Sequence, residues 1–404
     1  MRFFPLLTIL GLTACNSTGT PTGAGSTTAG SATGGAGSGT AGATGGATGT
    51  TGASGSGGSV AASSTGASPI GLWLGGAAEV SATELMLGGD QKISDSCPPI
   101  DPSANPAGVS AFDAQGNLWV QYPSDTNSLY MWTASQLGQA CASGMPAVTL
   151  TSDWFGQPGE GFSAIAFDSQ GNLWCVDPYE GVRNTLVGFR ASDLDASGAI
   201  EPAWGVLQGG FGSSSDNLQD PSSVAFDSAG NLWVGNVYSV IAYSPSTFAA
   251  AVLVDGGISQ NSIPADFQIT NPSEGSIASF AYRYLAFDTG GDLWVAIENT
   301  EDGGVNQIVE YSSAQLAALS GNDEPTPAAV LTAEVANAVV WGPLAFDSSG
   351  TLWAGVEGGN PDLYGFSKAN LATGSHPDFS VTVPGGAAAS LAFDPIPKGL
   401  PIQP

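Results

Sequence analysis

AFDSAGNLWV, residues 225–234, is the stretch from which the fold can be read. It recurs as AFDAQGNLWV at 111–120, AFDSQGNLWC at 166–175, AFDTGGDLWV at 286–295 and AFDSSGTLWA at 345–354. One more copy is divided between the chain ends, with AFD at 392–394 and GLWLG at 71–75. The motif aspartate therefore falls at 113, 168, 227, 288, 347 and 394. A long, nearly regular period built from strand-and-turn chemistry marks a propeller or a solenoid. Each copy reads as a β-hairpin: an apolar strand, an Asp-x-x-Gly-Asn turn, then Leu-Trp-Val as the returning strand. The turn glycine suits a backbone with positive φ, and the aspartate can accept hydrogen bonds from main-chain N–H groups inside the turn.

Downstream of every hairpin lies a second pattern: an apolar residue, four mostly small or polar residues, then Leu or Phe. Trp132-TASQ-Leu137, Phe189-RASD-Leu194, Tyr243-SPST-Phe248, Tyr311-SSAQ-Leu316 and Phe366-SKAN-Leu371 are five copies, and Val80-SATE-Leu85 is the sixth. The segment entering it reads as a third strand, with the polar stretch as its turn. Fourth strands are expected at 146–150, 202–207, 250–254, 327–331 and 378–383. The expected architecture is all-β: a six-bladed β-propeller over 69–404. Its closing blade takes an inner strand from the C-terminal end and the rest from about 70–97. Such circular closure leaves only short edges. The motif tryptophans Trp73, Trp119, Trp174, Trp233, Trp294 and Trp353 then pack between blades.

Two segments precede the propeller. Residues 1–15, MRFFPLLTILGLTAC, place Arg2 before an apolar run too short to span a bilayer, as in a secretory signal. Leu12-Thr13-Ala14-Cys15 resembles the bacterial lipobox, which implies cleavage before Cys15 and acylation of that cysteine, palmitate included. Multiple acyl chains anchor stably where one does not. Asn16 in place of aspartate then points to the outer membrane of the cell envelope. Residues 16–68 are almost wholly Gly, Ser, Thr and Ala, a flexible tether with an r.m.s. span of about 40 Å.

The formal charge of −28, with seven Lys plus Arg, excludes nucleic acid as a partner and disfavours docking on anionic lipid. Three cysteines remain after acylation of Cys15. Cys97 and Cys141 can pair in an oxidising compartment or stay separate, and Cys175 stands where the motif carries valine, as a buried thiol. His376 is the only histidine, so a histidine-based acid–base or nucleophile pair is not expected. No P-loop, GxSxG or CxxC is present.

Tyr122, Asp177, Asn236, Glu298 and Glu357 fall three or four residues past a motif tryptophan and can ring one mouth of the channel. Carboxylates and amides so placed can hold a hard cation such as calcium, or can simply be polar loop residues. Trp154, Phe155, Tyr179, Tyr238, Tyr282 and Trp341 lie in or beside the same loops. They serve either a sugar or peptide ligand or a hydrophobic plug between blades.

Asp220-Pro221-SSVAFDSAGNLWVGN resembles the repeat unit of NHL propellers and of the wider gluconolactonase-like superfamily, and the likeness runs through 69–404. Within that superfamily, enzymes hold a metal at the channel mouth with Glu, Asn and Asp. Asn236, Glu298 and Asp177 are the counterparts the resemblance implies. Streptogramin lyases share the repeat and depend on histidine. The function expected is a monomeric, lipid-anchored, non-enzymatic module that binds a protein or glycan. The alternative is a metal-dependent lactonase or related hydrolase.

Overall fold

Leucine, valine and tryptophan alternating with small residues, broken by Gly-containing turns, build blade strands of four to eight residues and, among the described residues, no long helix. A computed structural model describes residues 71–74, 78–81, 91–92, 108–122, 127–137, 145–155, 161–179, 183–207, 218, 221–237, 239–251, 265–270, 280–299, 306–332, 340–357, 362–373, 376–382 and 390–394. Cys15 with its signal segment, the tether 16–68, Cys97 and Cys141 lie outside them.

Five antiparallel blades follow one another, each named here by its motif aspartate. The Asp113 blade runs from its inner strand Val109–Phe112 through Leu118–Gln121 and Ser128–Trp132 to Val148–Thr151. The Asp168 blade comprises Ala164–Phe167, Leu173–Tyr179, Arg183–Phe189 and Trp204–Leu207. Ser223–Phe226, Leu232–Gly235, Ser239–Tyr243 and Phe267–Thr270 form the Asp227 blade. Phe280–Phe287, Leu293–Asn299, Gln307–Tyr311 and Ala329–Thr332 form the Asp288 blade, and Val340–Phe346, Leu352–Glu357, Leu363–Phe366 and Phe379–Thr382 the Asp347 blade. A sixth sheet has three strands among the described residues: Ala78–Ser81, Gly71–Leu74 and Leu391–Asp394. Complete blades thus number five, not the expected six, because no fourth strand of the closing sheet falls within the described residues. The pairing of the chain ends is as expected. Gly71 lies opposite Asp394 and Leu74 opposite Leu391. Ser110 Oγ is 2.8 Å from Ser390 Oγ, which joins the closing sheet to the first blade.

The core lies between blades rather than within them. Trp119, Leu129 and Leu150 of the Asp113 blade share one cluster with Ile165, Phe167, Leu173 and Val187 of the Asp168 blade. The closing sheet is packed on both sides, Leu72 against Trp353 and Val381, Ala392 against Phe112 and Val120. Motif tryptophans meet the motif phenylalanine of the next blade at 5.9–6.2 Å in three seams: Trp119 with Phe167, Trp233 with Phe287, Trp294 with Phe346. Cys175 is a fully buried free thiol whose pKa burial raises well above its ordinary value, as its place in the motif led us to expect.

The structure differs from the sequence expectation at two further points. The polar stretch after the third strand of each of the five complete blades is a single helical turn, not an open turn: Ala134–Leu137, Pro245–Ala249, Ser313–Ala317 and Lys368–Thr373 are α-helical and Ala191–Asp193 is 3-10. Ser312 and Gln315 form a reciprocal capping box there. The fourth strand of the Asp227 blade is Phe267–Thr270 and not 250–254. Asp266 decides this by accepting the Ser244 N–H at 2.6 Å, just as Asp378 accepts the Ser367 N–H at 2.7 Å before Phe379–Thr382.

Three outer edges carry an additional short parallel strand. Gly198–Ala199 of the Asp168 blade pairs with Leu150–Thr151 of the blade before it. Gly321–Asp323 pairs in the same way with Phe267–Ile269, and Gln91–Lys92 with Val381–Thr382. Each is a splice from one blade onto its predecessor, and it covers an edge that would otherwise offer free main-chain groups.

Candidate functional site

The repeated turn is the best-defined polar feature of the chain. Asp168 Oδ1 accepts the N–H groups of Gln170 and Asn172, each at 2.9 Å. Its Oδ2 accepts Asn172 Nδ2 at 2.9 Å and the indole Trp174 Nε1 at 3.1 Å. Asp113 and Asp227 repeat the set with Trp119 and Trp233, and Asp347 reaches Trp353 at 3.0 Å. Gly171 closes the turn at φ 80°, where a side chain would be strained. The acceptor positions of Asp113, Asp168, Asp227 and Asp347 are thus consumed by the fold, so these four motif aspartates are structural. The indole bond is not apparent from the sequence, although the invariant six-residue Asp-to-Trp spacing was its signal.

The Asp288 blade departs from this pattern. Residue 292 is Asp where the other turns carry Asn or Thr. Asp292 Oδ1 still accepts the Ser313 N–H at 2.6 Å, but no amide is left to donate to Asp288. Trp294 Nε1 is buried without a hydrogen-bond partner. Glu310 lies directly across from Trp294 in the sheet, where other blades place Met131, Gly188, Ala242 or Gly365. Desolvation, then the charges of Asp292 and Asp288, raise the Glu310 pKa above its ordinary value.

The opposite end of the hairpins holds the positions singled out in the sequence. Glu298 accepts Arg283 Nε at 2.9 Å. Glu357 accepts the Tyr284 hydroxyl at 3.0 Å, a bond that crosses from the Asp347 blade to the Asp288 blade. Arg283 and Tyr284 are adjacent in sequence, at a register shift between Tyr282 and Tyr284 that redirects the side chains. Burial, then Glu357, pushes the Tyr284 phenol well above its ordinary range. Glu298 and Glu357 are therefore brought into one neighbourhood by two residues that the sequence reading passed over.

The remaining positions do not join them. Asn236 is 1% exposed, and its main-chain carbonyl accepts the Tyr282 N–H at 3.2 Å across the blade boundary. Tyr122 is 3% exposed and packs against Tyr130 at 5.9 Å. Asp177 sits opposite Thr185 in the sheet, and only its backbone is described. Phe155, Tyr282 and Trp341 are buried, in keeping with a plug between blades. Trp154 donates to Glu201 at 3.2 Å. His376 lies between the last helical turn and Phe379–Thr382, in the segment that follows a third strand.

Among the described residues, no three His, Cys, Asp or Glu side chains group as metal ligands would. Glu298 already has a guanidinium as its counter-charge, so the described donors do not fit a calcium ion. Because Arg283 and Glu298 are both partly exposed, Arg283→Ala is expected to change the unfolding free energy by less than about 1 kcal/mol in a urea titration.

No family model and no curated protein matches this chain. Among solved structures it is similar to a protein of unknown function from Bacteroides caccae, with 12% identity over 81% of this chain and 99% of that one and a TM-score of 0.49. A putative gluconolactonase has 15% identity over 69% of this chain and 77% of its own, with a TM-score of 0.39. PorZ, a bacterial surface component of the type IX secretion system of Porphyromonas gingivalis, has 17% identity over 64% and 32%, with a TM-score of 0.35. None of these likenesses is close enough to carry a function. No helix among the described residues is long and apolar enough to cross a membrane.

Proposed function

We propose that this chain is a lipid-anchored propeller of the bacterial cell envelope that acts as a binding module and not as an enzyme. Its partner is a protein or glycan held on the face that carries Glu298 and Glu357. In this reading the ring has six blades, the three-stranded sheet being the sixth, Cys15 carries the acyl anchor and 16–68 is the tether. One observation carries the functional part: Glu298 is paired with Arg283 and Glu357 takes the Tyr284 hydroxyl, and among the described residues no three His, Cys, Asp or Glu side chains group as metal ligands would. A Lewis-acid site needs free oxygen donors around one ion. The metal-dependent lactonase remains the second reading, supported by the repeat resemblance alone.

Two measurements test the proposal. Cys15→Ser is expected to abolish incorporation of labelled palmitate and to move the protein from the membrane to the soluble fraction. Labelling that persists in the variant would remove the anchor from the proposal. Calcium titrated into the chelator-treated full-length chain is expected to give no binding heat, and lactone or ester substrates no turnover. Turnover lost on Asp177→Ala or Glu298→Ala would establish the second reading.

A further inference from the structure

The outer splices alternate around the ring. The Asp168 blade, the Asp288 blade and the closing sheet each give a short parallel strand to the blade before them, while the Asp113, Asp227 and Asp347 blades each receive one. The closing sheet is therefore a sister of the Asp168 and Asp288 blades. Gly198, Asp323 and Gln91 hold equivalent places, because each lies beside the third residue of a receiving outer strand: Leu150, Ile269 and Val381. Six residues past Gly198 is Trp204, and six past Asp323 is Ala329, the first residue of the fourth strand in each sister. Six past Gln91 is Cys97.

The Asp168 blade shows what such a strand touches. The Gly205 N–H, one residue into it, donates to the Ala251 carbonyl at 3.0 Å and ties the strand to the blade that follows. Ala251 stands three residues past Phe248, the buried residue of that blade's helical turn. In the Asp113 blade, which follows the closing sheet, the buried residue of the helical turn is Leu137. Three residues past Leu137 is Ala140, and the next is Cys141. The counterpart of Gly205 is Pro98, adjacent to Cys97, and proline has no N–H to give. Pro99 then takes the place of Val206, which in the Asp168 blade lies opposite Leu186 of the third strand. The closing sheet thus lacks main-chain donors where its sister has them, and the chain carries one cysteine on each side of that seam. Chains joined by main-chain hydrogen bonds lie about 4.8 Å apart, and a disulfide spans Cα separations of about 4.4–6.8 Å.

We infer that Cys97 and Cys141 form a disulfide that ties the closing sheet covalently to the first blade, in place of the hydrogen bond between Gly205 and Ala251. Cys175 is fully buried and does not compete for either thiol. The bond forms by thiol–disulfide exchange with an oxidised disulfide carrier of an oxidising compartment. The two thiols give up two protons and two electrons, the sulfur–sulfur bond forms between Cys97 and Cys141, and the carrier's own disulfide is reduced to two thiols. The inference rests on the six-bladed, exported reading of the chain and uses neither the acyl group on Cys15 nor the partner-binding face. Its failure would leave both of those standing.

Cyanogen bromide cleaves after Met86, Met131 and Met145, which leaves Cys97 in fragment 87–131 and Cys141 in fragment 132–145. The exported full-length chain, purified without reductant and capped with iodoacetamide, is expected to yield these two fragments as one joined mass that dithiothreitol separates. Melting gives a second readout. Cys97→Ser, Cys141→Ser and the double variant are expected to lower Tm by the same amount, roughly 5–15 °C, because either single change already removes the whole bond. The fragment masses need no variant, so a serine variant that fails to fold leaves the test intact. Capping of both cysteines without prior reduction, a mass joining either fragment to another part of the chain, or single-variant losses that add in the double variant would each overturn the inference.

Discussion

Asp168→Ala is expected to lower the unfolding free energy by about 3–5 kcal/mol, on the basis of roughly 1–3 kcal/mol for each buried donor left without an acceptor. The wild-type carboxylate takes four hydrogen bonds, and the residue is 5% exposed. In the variant the N–H groups of Gln170 and Asn172 can turn to water at the turn surface. Trp174 Nε1 cannot, because the indole is fully buried between Trp204 and Phe248. Asp168→Asn is expected to fall between wild type and alanine. It retains one oxygen for the main-chain donors but presents its amide NH2, a donor, to the indole and to Asn172 Nδ2. Urea unfolding followed by tryptophan fluorescence measures all three. Asp288→Ala is the internal control, and its loss should be smaller by about 1 kcal/mol or more, since Trp294 donates nothing there to lose. Equal losses at 168 and 288 would show that the indole bond contributes little.

The second large effect has the opposite sign. Asp292→Asn is expected to raise stability by about 1.5–3 kcal/mol, the range for hydrogen bonds to a charged group. The new amide can donate to Asp288 as Asn117, Asn172 and Asn231 donate to their aspartates at 2.7–2.9 Å. It also removes a like charge from the turn and leaves Asp288 free to take up the Trp294 N–H. In a domain of this size each kcal/mol corresponds to a rise of roughly 2–4 °C in Tm. The pH dependence gives a second readout. Glu310 has a raised folded-state pKa, so the folded protein binds that proton more tightly than the unfolded chain. Its contribution favours folding below the ordinary carboxylate pKa and is lost as pH rises through the raised value. Acidification from neutrality toward that window therefore relieves the Asp288 blade. Asp292→Asn removes one of the charges responsible, so the relief should be smaller in the variant. An Asp292→Asn protein no more stable than wild type at pH 7 would refute this account.

The legible parts of the sequence were those with a period. The Asp-x-x-Gly hairpin, the inter-blade tryptophans and the split motif at the chain ends all rest on contacts that repeat. The misplaced fourth strand shows the limit of apolar runs. AVLV at 251–254 is as apolar as a strand, but Asp266 and Phe267 copy the Asp378–Phe379 pair that introduces Phe379–Thr382. A comparison between blades would have found it, whereas hydropathy could not. The splices were not legible at all, because Gly198–Ala199 carries two residues with no strand preference and is held only by a neighbour about 50 positions earlier. At the mouth, Arg283 and Tyr284 precede the motif, outside the window past each tryptophan in which candidate residues were sought. Arg283 between two tyrosines, in a chain with seven basic residues, was the available signal.

The pairing of Gly71–Leu74 with Leu391–Asp394 also bears on how the protein is made. Synthesis proceeds from the N-terminus, so the first strand emerges more than three hundred residues before its partner. Until Leu391 has left the ribosome, Leu72 lacks Phe393, and the seam between Ala392 and Phe112 has only one side. Domains generally form as units, and contacts of long sequence separation form late. The ring is therefore expected to latch only once Leu391–Asp394 has been synthesised.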